Sequence, residues 1–175
     1  QVHPTALGDF DRTTVLCDAS YRNTRNIGDG FLSTNFRDID GEADIQVADV
    51  IHKCGDNIPL NKELVRCARL DSVSLGPQRI RLVKLDVQGF EKYVLEGARK
   101  TITRHRPTMI VELEDPCSLL YGYDSSEIVQ SLSGMDYEIY YLEYDYPADH
   151  VCVPKEEVSE FERRFAGRIR PHAED

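Results

Sequence analysis

Residues 81–114, RLVKLDVQGFEKYVLEGARKTITRHRPTMIVELE, restrict this chain more than any other stretch. An apolar strand over 80–87 ends in acid at Asp86, a glycine turn opens a helix over 90–105, and a second apolar strand over 108–113 again ends in acid, at Glu112. Strand–helix–strand with near-continuous apolar runs is the pattern of parallel strands buried on both faces. Ligands of such sheets lie outside the carboxyl ends of the strands. Asp86 and Glu112 both fall there.

The helix places Val94, Leu95, Ala98 and Ile102 on one apolar face, and Pro107 ends it. Gly97 inside it costs about 1 kcal/mol relative to alanine, so its use points to a close approach of helix and sheet. Upstream, strands are expected over 2–9 and 13–19 around the turn 8–11, and over 43–50 and 65–70. Residues 20–41 read as a polar surface excursion and 52–62 as an irregular loop. Asp71 is placed to cap a helix starting at 70–73. Downstream, Ser125 or Ser126 opens a helix that Gly134 closes. Strands over 137–144 and 150–153 are joined by too few residues for anything but an antiparallel pair. A last helix covers 158–165, and 170–175 is expected to fray. The domain is therefore expected over 1–165, with 166–175 as a tail.

At 175 residues with 30% charged side chains the chain suits a single globular domain. Its formal charge of −10 argues against nucleic acid, which needs clustered cations; the basic runs 99–106 and 163–170 read as solvated helix faces. No apolar run approaches the roughly 20 residues that span a bilayer, and no leader pattern is present. Cys17, Cys54, Cys67, Cys117 and Cys152 are scattered without a CxxC pair, so they read as reduced structural thiols, which favours a reducing intracellular compartment. The tyrosines at 137, 140, 141, 144 and 146 read as strand packing rather than a stacking platform.

If strands 80–87, 108–113 and 137–144 run parallel, Asp86, Glu112 and the pair Asp149–His150 converge on one rim, with Gln88 and Glu91 beside them. Carboxylates and an imidazole there could polarise a hydroxyl and take its proton. A hard-cation site from Asp86, Glu112 and Glu114 is the weaker reading of the same carboxylates. His3, His52, His105 and His172 are expected at the surface. Gly28-Asp29-Gly30 neither follows a clear strand nor opens a helix, so it is not a dinucleotide fingerprint.

From Val83 through Glu91 (VKLDVQGFE), and on through Val94-Leu95-Glu96-Gly97-Ala98, Arg106-Pro107 and Val111-Glu112-Leu113, the chain resembles the FkbM family of S-adenosylmethionine-dependent methyltransferases. Outlying similarities are Ala6-Leu7-Gly8-Asp9, Leu70-Asp71-Ser72 and residues 149–154. The resemblance implies an α/β, class I methyltransferase-like (Rossmann-like) fold: a mostly parallel sheet with helices on both faces and an antiparallel last strand. It also implies O-methylation of a sugar or small-metabolite hydroxyl, with S-adenosylmethionine as cofactor. Carried over residue by residue, it puts Asp86 near the transferred methyl group and Asp9 near the adenine. The rim adds Glu112 and His150 at the chemistry and Gln88 beside the cofactor, with Glu91 next to the acceptor, and the loop over 115–123 carries Tyr121 and Tyr123 to the acceptor side. The family's glycine-rich Asp-x-Gly-x-Asn-x-Gly turn and the ribose-binding acid have no counterpart in the sequence. The first two strands are therefore expected to be missing, leaving a sheet edge for a partner chain or an N-terminal segment to cover. A non-catalytic methyltransferase-like scaffold is the alternative.

Overall fold

The computed structural model describes residues 4–19, 30–32, 60–142 and 149–172. Among these, the chain opens with Ala6–Leu7 (β1), turns at 8–11, and continues as Arg12–Ala19 (β2), Gly30–Leu32 (β3) and Leu60–Ala68 (β4). They form a sheet in the order β1-β4-β2-β3. β2 and β4 make a long antiparallel ribbon from Arg12↔Cys67 to Ala19↔Leu60, and β1 runs parallel to the end of β4. β4 starts five residues before the expected 65, taking in Leu60, Asn61 and Lys62 from the predicted loop. The ladder offered by β2 overrides their weak strand preference. The strand expected over 43–50 and most of the excursion over 20–41 lie outside the described residues.

The second sheet contains Leu82–Leu85 (β5), Thr108–Glu112 (β6), Tyr137–Leu142 (β7), Asp149–Pro154 (β8) and Ile169–Pro171 (β9), in the order β5-β6-β8-β7-β9. β5 and β6 pair in parallel, while the other three ladders are antiparallel. The described sheets are thus mixed rather than mostly parallel. The cause is β8, which doubles back from β7 and inserts between β6 and β7, making an antiparallel ladder on each side. β5, β6 and β7 still share one direction. β9 begins where fraying was expected, because β7 would otherwise present an open edge of unpaired backbone groups.

Glu91–Gly97 (α1) and Arg99–His105 (α2) replace the single expected helix, with the break at Ala98 (φ −110°, ψ 2°). Two contacts impose it. A Cβ on Gly97 would lie 1.8 Å from the Gly8 carbonyl oxygen, so α1 rests directly on the backbone after β1. Asp71, in a 3-10 turn at Leu70–Ser72, accepts from the N–H groups of Lys100 (3.0 Å) and Thr101 (2.8 Å). It caps the start of α2 instead of a helix of its own. Burial pushes the Asp71 carboxyl up, but those backbone donors outweigh it and hold it below the usual range.

Asp115–Ser118 (α3), Ser125–Ser133 (α4) and Val158–Arg164 (α5) complete the described helices. The cap of α4 is Asp124, which accepts from Ser126 N at 2.9 Å, rather than a serine. Leu85, Phe90, Val94, Leu95, Ile102, Met109, Val111, Ile128 and Leu132 form the main core between α1, α2, α4 and one sheet face. Tyr140, Val151 and Val153 pack with Ile110, Val158 and Phe161 on the other face, under α5. Tyr137 and Tyr140 are buried strand residues whose hydroxyls donate to Pro107 O and Glu162 Oε1. Tyr144 and Tyr146 lie outside the described residues.

Candidate functional site

The carboxyl ends of β5 and β6 and the start of β8 share one lip, because β8 enters antiparallel beside β6. Register pairs Lys84 with Ile110, Ile110 with Val151, and Glu112 with Asp149. Strand side chains alternate between faces, so Lys84, Glu112 and Asp149 stand on the face that α5 covers further down. Lys84 Nζ lies 2.6 Å from Asp149 Oδ1 and 3.5 Å from Asp86 Oδ2. Gln88 Nε2 donates to Asp86 Oδ1 and to Glu112 Oε2, each at 3.3 Å. Glu112 is buried, whereas Asp86 is exposed.

Lys84 is thus bonded to Asp149 and Asp86, while the neutral Gln88 amide links Asp86 to Glu112. Burial pulls the Lys84 ammonium down, but the hydrogen bond and charge of Asp149, with Asp86 behind them, hold it above the ordinary lysine range. Lys84 therefore stays charged. Sequence reading overlooked it, although a cation two residues before Asp86 on a strand must share that acid's face.

The turn between β5 and α1 carries the acid. Gln88 has φ +54° and Gly89 φ +90°, both in the left-handed region. Glu91 Oε1 accepts from the backbone N–H of Val87 at 2.9 Å and of Gly89 at 3.3 Å. Tyr123 Oη donates to Gly89 O at 2.5 Å and accepts from Lys92 N at 3.3 Å. Glu91 is 2% exposed and Tyr123 3%, and burial pushes the Glu91 carboxyl up. The structure thus places both inside, behind the turn, and not on the acceptor side where they were expected. Tyr121 is half-buried, with its hydroxyl on Leu32 O at 3.0 Å and its ring edge-on to Phe90.

His150 shares the rim but not the face. It pairs with Val111 and Tyr141, one residue out of step with Asp149, so it projects to the opposite side of the sheet from Glu112. There it is buried, 4.4 Å from the Tyr141 ring and 5.2 Å from His172 between centroids. The expected convergence holds for Asp86, Glu112 and Asp149 and fails for His150; a one-residue offset in a strand reverses the side. His172 stacks in the same aromatic group, and His105 Nδ1 accepts from Ile80 N at 3.1 Å, so neither is a bare surface residue. His3 and His52 lie outside the described residues.

Asp9 is not beside the lip. Its Cα is 3.2 Å from where a Gly97 Cβ would sit, at the far end of α1, and a seven-residue helix spans about 10 Å. Among the described residues no group of three or more His, Cys, Asp or Glu side chains is arranged to hold a metal ion, which leaves Asp86, Glu112 and Glu114 without that geometry. A groove of about 990 Å³ lies between α5 and the sheet, lined by Leu82, Ile110, Val151, Phe161 and Ile169, apart from the carboxylate lip. No helix among the described residues is long and apolar enough to cross a membrane.

Among known families, the model of the methyltransferase FkbM domain matches residues 21–139. The chain belongs to the FkbM methyltransferase family. The matched span contains Lys84, Asp86, Gln88 and Glu112; Asp149 and His150 lie beyond it. The crystal structure of methyltransferase FkbM from Methylobacillus flagellatus KT is similar over 51% of this chain and 23% of that chain, at 20% identity and a TM-score of 0.36. The matching part of this FkbM chain thus spans less than a quarter of that protein's length. No curated protein matches it.

Proposed function

We propose that this FkbM-family chain contributes the carboxylate lip, between cofactor and acceptor, of an S-adenosylmethionine-dependent O-methyltransferase that acts on a hydroxyl of a sugar or small metabolite. One observation carries the reading: Asp86, Glu112 and Asp149 share a lip with Lys84 as the cation among them. That donor set suits a cationic sulfonium next to a neutral hydroxyl. When bound, the sulfonium supplies an electrophilic methyl group.

Asp86, exposed on the lip, would accept the acceptor's hydroxyl proton during methyl transfer. Glu112, buried and bonded to Gln88, stays in place and disfavours any competing anion. Lys84 balances Asp149 without neutralising the whole lip. Asp9 and Gln88 stand as cofactor-side proposals, and Tyr121 as an acceptor-side one. His150 would act only through the sheet, by packing behind Val111 and Tyr141, not by touching the substrate.

Calorimetry of the full native protein with S-adenosylmethionine, paired with methyl-transfer assays on hydroxyl acceptors, tests the reading. Micromolar binding and an Asp86→Asn loss of at least about 100-fold in turnover at saturating S-adenosylmethionine are expected. Binding absent from the native protein would favour the non-catalytic scaffold.

A further inference from the structure

Gln88 is a non-glycine residue held at φ +54°, a conformation a side chain avoids unless its surroundings enforce it. The enforcing groups are close at hand. Glu91 Oε1 takes the N–H on each side of Gln88, those of Val87 and Gly89. Tyr123 takes the Gly89 carbonyl and is itself fixed by Lys92 N. Two buried side chains thus clamp three backbone groups around one strained residue. Neither can touch a ligand, since both are all but fully buried.

The strained residue has a task on the other side. The two hydrogens of the Gln88 amide reach one oxygen each of Asp86 and Glu112. A lysine in that place would cancel a charge. A neutral amide bridges two like charges and leaves both in being. If the turn relaxed to negative φ, the amide would swing away and its bridge between the two carboxylates would be lost.

We propose that Glu91 is a positioning residue which, with Tyr123, locks the 87–89 turn so that Gln88 holds Asp86 and Glu112 together as one anionic lip. This rests on the reading of the lip as a sulfonium site. Glutamine at 91 can offer the same Oε1 to the same two N–H groups, so charge at 91 is not the requirement.

The test is S-adenosylmethionine calorimetry on the full chain as wild type, Glu91→Gln, Glu91→Ala, Gln88→Gly and the Glu91→Ala/Gln88→Gly double variant, with amide hydrogen exchange on each. Glu91→Gln should bind within about twofold of wild type, while Glu91→Ala and Gln88→Gly each weaken binding about tenfold. The double variant should lose no more than about tenfold, because residue 91 acts through residue 88. Losses that multiply to about a hundredfold in the double variant, or a Glu91→Gln loss equal to that of Glu91→Ala, overturn the proposal.

If Glu91→Ala does not fold, Tyr123→Phe takes its place, and its effect must vanish in the Gln88→Gly background. If wild type itself does not bind, the functional reading falls alone and exchange decides the clamp. Glu91→Ala must then speed Val87 and Gly89 exchange at least about tenfold with Val94 and Leu95 unchanged and Glu91→Gln near wild type. Unchanged exchange at Val87 and Gly89 overturns it.

Discussion

Replacing Gly97 by alanine should destabilise the protein, although the same change inside an exposed helix gains about 1 kcal/mol. An ideal Cβ at 97 would sit 1.8 Å from Gly8 O, 2.7 Å from Gly8 C and 3.2 Å from Asp9 Cα. A close carbon–oxygen contact is about 3.3 Å, so the two backbones must part by about 1.5 Å. No side chain can rotate out of the way. Gly8 is tied by its N–H to Ala68 O at 3.1 Å, and β1 is paired to β4, so the motion strains that pairing. Overpacking of this kind costs about 3 kcal/mol at the upper end of its usual range. Set against the helix gain, the net loss is about 2 kcal/mol, or about 4–8 °C in Tm for a chain of this size.

Gly134→Ala is the control. Gly134 has φ −67°, and a Cβ there meets nothing closer than Gln130 O at 3.3 Å, so a change within about 0.5 kcal/mol is expected. Urea titrations of wild type and both variants provide the measurement. A Gly97→Ala protein as stable as wild type would refute the close-approach argument.

Asp71→Ala should cost about 1 kcal/mol in the same titration, since it removes the cap from the start of α2, with Asp71→Asn recovering part of it. Cys67 and Cys152 are fully buried, and burial pushes their thiols up to about 11 and about 12; both should resist thiol reagents at pH 8 and react only as the protein unfolds. The hydrogen bond from Arg106 holds the Glu156 carboxyl down at about 2 against an ordinary 4.5. Its stabilisation is therefore full above pH 4.5 and fades as pH falls toward 2. Because Glu156 is half exposed, the effect is at most about 1 kcal/mol. Melting curves of wild type and Glu156→Gln should differ at pH 7 and converge near pH 2; a constant gap would contradict the assignment.

The strand–turn–helix–strand unit over 81–114 was legible because its signals are local. Apolar runs mark β5 and β6, and Gly89 and Pro107 bound the helical part. The antiparallel entry of β8 followed from the brevity of its link to β7. The mixed character of the sheet was less visible, since the insertion of β8 and the addition of β9 satisfy edges created by other strands. The break at Ala98 was hidden as well. It depends on Gly8 and Asp71, which are distant in sequence, and the periodicity of 90–105 carries no trace of them.

The amino-acid order alone determined that Asp86 and Glu112 close adjacent apolar strands, and that Asp149 and His150 open the strand returning toward them. Only the tertiary structure decided which of these side chains meet. Strand faces alternate with a period of two, and the pairing of Glu112 with Asp149 rather than with His150 is set by ladders along the whole of β6, β7 and β8. That single step of register puts Asp149 beside Lys84 on the side of Glu112 and sends the imidazole to the far side. The burial of Glu91 behind the turn was likewise settled in three dimensions, because the tyrosine that completes its network comes from a separate segment, at residue 123.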